Sequence, residues 1–82
     1  MSDKSQKRIL IIEDEKPLAH ALSLKLMHEG FDVKATGSGE EGLQLIQSEK
    51  FDLVLTDLII PGVDGFKILE TIKEKKIKTV VV

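Results

Sequence analysis

Cysteine, tryptophan and tyrosine are missing altogether from the 82 residues. The first absence excludes a disulfide framework, a cysteine-based zinc site and a thiol nucleophile, and it fits a reducing compartment. The aromatic side chains are Phe31, Phe51 and Phe66, too few for a base-stacking platform. Twelve basic residues stand against fourteen acidic ones, giving a formal charge of -2, so no global basic field speaks for nucleic acid or for an anionic membrane surface. No apolar run approaches the roughly 18 residues of a membrane span, and the opening MSDKSQKR is polar with no apolar segment behind it. A soluble, cytoplasmic protein is expected. No glycine-rich phosphate loop follows the first apolar run, which removes nucleotide-binding and hydride-transfer readings. At this length one small domain is expected over residues 1–82, with residues 1–7 as a frayed tail.

What is present alternates between two periods. RILII (8–12) is a β-branched run too short for a helix, and it stops at Glu13-Asp14-Glu15. From Pro17 the spacing changes to four: Leu18, Leu22 and Leu26, with Ala21 beside them, predict an inward helical face, and Gly30 lies just past its end. FDVKATG (31–37) alternates Phe31, Val33 and Ala35 against Asp32, Lys34 and Thr36, as an edge strand with one wetter face would. Ser38 and Glu41 read as a capping box opening a second helix whose inner side carries Leu43 and Ile46. FDLVLTD (51–57) predicts a third strand, apolar on both faces. Phe66, Leu69 and Ile72 space a third helix ending in KEKK, and a fourth strand begins at Thr79. Right-handed crossovers turn this β-α-β-α-β-α-β order into a parallel sheet with helices on both faces.

In such sheets ligands sit outside the carboxyl ends of the strands. The first strand ends there in Glu13 and Asp14, the third in Asp57. Two unit charges about 4 Å apart repel by about 4 kcal/mol at an effective dielectric near 20, so converging carboxylates call for a cation. Mg²⁺ suits them, because it takes one or two carboxylates, keeps several waters and leaves room for a phosphate. The competing structural role is helix capping, in which Asp14 or Glu15 merely favours the start of the first helix. His20 and His28 lie on that helix without a partner at ligand spacing and read as surface residues.

These residues carry a resemblance. IIEDE (11–15), GEEGLQLI (39–46) and Asp57 within LVLTDLIIPGVDGF (53–66) are similar to the receiver domain of two-component response regulators, over about Arg8 to Val82. The resemblance implies a flavodoxin-like, doubly wound α/β fold, here with strand order 2-1-3-4. It implies that Asp57 accepts a phosphoryl group from a sensor histidine kinase. Mg²⁺ would be held by Asp14 directly, by Glu13 through water, by Asp57, and by the backbone carbonyl of Ile59. Such a domain signals and is not expected to act as an enzyme.

The family has five strands, whereas this sequence stops within a fourth, short of the hydroxyl residue, the lysine and the aromatic switch that the family places later. The expectation is therefore a truncated receiver with impaired phosphotransfer. A bare edge at Val80, Val81 and Val82 would be completed by homo-oligomerisation or exchange of elements between chains. An aspartyl phosphohydrolase of the haloacid-dehalogenase type is the remaining enzyme reading. It wants a second aspartate two positions after the nucleophile, and Ile59 stands there.

Overall fold

The β-branched run Arg8–Ile12 forms β1, and the rest of the chain is wound around it. A computed structural model describes residues 7–56 and 65–81. After β1 come α1 (Lys16–His28), β2 (Asp32–Thr36), α2 (Gly39–Ser48), β3 (Leu53–Thr56), α3 (Gly65–Glu74) and β4 (Lys78–Val81). The sheet order is β2-β1-β3-β4 and every pairing is parallel. The register aligns Ile12 with both Thr36 and Thr56, and Thr56 with Val81, so all four strands end level at one edge. That edge is where the acidic residues emerge.

Strand alternation divides the apolar side chains between two faces. Leu10, Ile12 and Val54 meet Ile46 of α2, Phe51, and Ile68 and Ile72 of α3 in one buried cluster, with Leu45 and Ile77 packed against it. Each such side chain contributes about 1.5–3 kcal/mol by leaving water. Ile9 and Ile11 point to the other face and are also buried. The third strand is less evenly covered than its composition suggests, with Val54 and Thr56 buried but Leu53 and Leu55 only half-buried. Strand four starts one residue earlier than expected, at Lys78. The side chains of Phe66 and Leu69 and all of Val82 lie outside what is described.

The inward face of α1 differs from the four-residue repeat. Leu22 and Leu26 are half-buried, whereas Leu18 is 36 % exposed and Ala21 is exposed, and α1 has no fully buried residue. Successive steps of four residues overshoot a 3.6-residue turn by about 40°, so Leu18 stands about 80° around the helix from Leu26, towards the margin of the covered face. In β2, Phe31 and Val33 are half-buried as expected, but Ala35 is exposed and Thr36 is buried. Thr36 turns inward because its hydroxyl has partners there, described below.

Both α1 and α3 stop in the same hydrogen-bond pattern. Phe31 N–H donates to the Leu26 carbonyl at 3.1 Å and Gly30 N–H to Met27 at 3.0 Å, with Gly30 at φ +100°. Ile77 N–H donates to Ile72 at 3.0 Å and Lys76 N–H to Lys73 at 3.1 Å, with Lys76 at φ +58°. These are paired helix-terminating bonds that normally recruit glycine at the left-handed position.

At the amino edge of the sheet, Arg8 binds Asp32 at 3.1 Å and Glu49 at 2.8 Å, donates to the Lys50 carbonyl, and lies 4.7 Å above the centre of the Phe51 ring. Lys7, at the margin of the expected tail, is tied in by its carbonyl, which accepts the Asp32 N–H at 2.9 Å. Residues 1–6 of that tail lie outside the described part.

Candidate functional site

Beyond Ile12 the backbone of β1 continues its pairing for one more bond, from Glu13 N–H to the Thr36 carbonyl at 2.9 Å. This holds Glu13 in the sheet, 4 % exposed, with its Oε2 accepting the Glu15 N–H at 3.1 Å. Among the described residues no cation pairs with Glu13, and a buried carboxylate without one is costly to desolvate. Asp14, one residue on, is exposed and makes no hydrogen bond or ion pair among the described residues. Glu15 is the N-cap of α1 with extended backbone, yet its side chain makes no capping bond. Side-chain capping bonds therefore do not account for Asp14 or Glu15.

The donor chemistry fits a hard divalent cation, since every candidate ligand is an oxygen and Asp14 has no partner among the described residues. Among the described residues no three acidic or imidazole side chains converge, so Glu13 and Asp14 alone do not complete a site. Asp57 and Ile59, the other expected ligands, lie outside the described residues. Thr56, fully buried and paired with Ile12 and Val81, is the last described residue before them. His20 and His28 are exposed on α1, as surface residues. A cavity of about 410 Å³ sits at the opposite, amino edge of the sheet between Lys7, Phe31, Phe51 and Lys76, and the acids do not line it.

One arrangement beside the acids was not anticipated. The Ser38 side chain accepts the Glu41 N–H at 3.2 Å, half of the expected capping box. The other half is absent: the Ser38 N–H donates to Thr36 Oγ1 at 3.1 Å, and the Glu41 carboxylate accepts from the Thr36 hydroxyl instead. A hydroxyl two residues ahead of a helix cap is the available signal, because Thr side chains take up nearby backbone N–H groups in this way.

A family model described as the response regulator receiver domain matches residues 9–82. The cell cycle response regulator CtrA of Brucella ovis is 39% identical over 72 residues, which is 88% of this chain and 31% of that protein. The chain thus spans about a third of the curated relatives it matches. Among solved structures, a CheY-like response regulator receiver domain protein from Methanospirillum hungatei aligns with a TM-score of 0.87 and 32% identity, over 94% of this chain and 63% of that one. The response regulator TrrA of Thermotoga maritima, solved in complex with Mg²⁺-BeF, aligns at 0.79 with 33% identity, covering 93% and 66% of the two chains. TrrA in complex with the histidine kinase ThkA aligns at 0.81 with 32% identity, covering 93% and 67%.

Proposed function

We propose, from the premise that this chain belongs to the response regulator receiver domain family, that Asp57 is the acceptor of a phosphoryl group delivered by a sensor histidine kinase. A carboxylate oxygen of Asp57 forms the new P–O bond while the P–N bond to the kinase imidazole breaks and its electron pair returns to that ring, leaving an aspartyl phosphate. Mg²⁺, held by Asp14, Asp57, the Ile59 carbonyl and, through water, Glu13, would supply neutralisation of the phosphoryl oxygens.

The observation that carries this reading is the pairing of Ile12 with Thr56. It brings the chain out of β1 and β3 at one edge, with Asp14 two residues beyond one strand end and Asp57 one residue beyond the other. An Asp14 without a partner and a buried Glu13 without a cation, both among the described residues, support it. The resemblance to a regulator solved with Mg²⁺-BeF and with its kinase supports the same cofactor and partner class. No nucleic-acid or membrane role is proposed for these residues, and no helix among the described residues is long and apolar enough to cross a membrane.

A small-molecule phosphodonor and Mg²⁺, followed by intact-mass measurement, test the reading. Wild type is expected to gain one phosphoryl group. The gain should vanish in D57N. Equal labelling of wild type and D57N would overturn the assignment. We further propose that this polypeptide self-associates through β4, an outer strand of the sheet. Sedimentation velocity should show mass rising with concentration, and a monomer throughout would exclude it.

A further inference from the structure

We infer that Thr36, with Glu41 as its acceptor, is a positioning residue for the Glu13–Asp14 pair, so that the cation affinity of the acids is set from the turn between β2 and α2. The inference rests on the metal reading proposed above and adds its control.

Thr36 is 7 % exposed and stands where three segments meet. Its carbonyl accepts the Glu13 N–H at 2.9 Å. Its hydroxyl donates to the Glu41 carboxylate and accepts the Ser38 N–H at 3.1 Å. The turn also lies directly on the acidic backbone: a Cβ on Gly37 would sit 3.5 Å from the Glu13 carbonyl oxygen and 3.7 Å from Asp14 Cα. One turn further into α2, a Cβ on Gly42 would fall 2.6 Å from Ile12 Cδ1 and 2.8 Å from its Cγ1, so the helix rests on the residue preceding Glu13.

Capping α2 needs only the Ser38 hydroxyl. The Thr36–Glu41 bond is additional, and with the Ser38 N–H bond to the same hydroxyl it ties the end of β2, whose carbonyl holds Glu13, to the first turn of α2. Remove the hydroxyl and the Ser38 N–H and the Glu41 carboxylate both lose a partner, while the Thr36 carbonyl is free to tilt and carry Glu13 with it. Side chains one layer behind metal ligands typically change metal affinity 10–100-fold.

Calorimetric titration of the 82-residue protein with MgCl₂ tests this in wild type, T36V, T36S, E41A and D14N, each melted separately without Mg²⁺. T36V and E41A are expected to bind about 10-fold more weakly, and T36S, which restores the hydroxyl, within about twofold of wild type. Lower melting temperatures for T36V and E41A with unchanged affinity would overturn the positioning role and leave Thr36 a structural residue. Should T36V not fold, E41A decides by the same criterion, since the Glu41 side chain is on the exposed side of α2. Wild type that does not bind, or D14N that binds as wild type does, overturns the metal reading and this inference with it. Binding lost in D14N but kept in T36V and E41A overturns the positioning alone.

Discussion

Arg8 gathers more interactions than any other single side chain described above. It begins a strand whose remaining residues are apolar, and nothing in RILII announces that its guanidinium reaches Asp32, Glu49 and the face of Phe51. Asp32 and Glu49 lie 24 and 41 residues away, so only the tertiary fold brings them to Arg8. Glu49 takes hydrogen bonds from Arg8 and from Lys34, and these hold its carboxyl below the ordinary carboxylate value. A depressed folded-state value means that the unfolded chain binds the proton more readily. The contribution of Glu49 to stability is therefore complete above the ordinary value and is lost as pH falls through the folded one. Denaturation of wild type and E49Q across acid pH is expected to show wild type ahead at neutral pH and the gap closing on acidification. A gap independent of pH would show that Glu49 acts through packing and not through its charge.

Elements were legible where their signals are local. The β-branched runs, Pro17 in the first turn of α1 and Gly30 after it mark their elements within a residue or two of where they lie. The end of α3 was not legible in the same way. Lys76 occupies the left-handed position that Gly30 occupies in α1, and lysine gives no sequence signal for it. A left-handed non-glycine residue costs roughly 1–2 kcal/mol, while glycine returns part of that as added freedom of the unfolded chain. K76G is thus expected to stabilise by about 0.5–1 kcal/mol in urea denaturation, and G30A to destabilise by about 1 kcal/mol. Nothing lies within 4 Å of a Cβ at Gly30, so its loss would come from backbone strain alone. Changes of the same sign at both positions would contradict the common termination pattern. The capping box was half legible for a related reason. The Ser38–Glu41 spacing is a template of four residues, and the hydroxyl that diverts Glu41 belongs to the strand before it.

Across the whole molecule, the resemblance to receiver domains implied the sheet order 2-1-3-4, while the strand and helix rhythm implied the β-α-β-α-β-α-β order of a parallel sheet with right-handed crossovers. The position of the acids at the carboxyl edge followed from that order. How Glu13 and Asp14 differ did not follow from it. Adjacent in sequence, they differ because Glu13 continues the β1 pairing and is buried, whereas Asp14 stands in the bend beyond it and is exposed. We propose that acids from the ends of β1 and β3 share one divalent cation. Mn²⁺, which prefers the same hard oxygen ligands as Mg²⁺, makes that visible by broadening nearby amide resonances. In a ¹⁵N-labelled sample at substoichiometric Mn²⁺, the amides of Glu13, Asp14 and Asp57 should broaden together and sharpen again when excess Mg²⁺ is added. Broadening at only one of the two strand ends, or at neither, would contradict it.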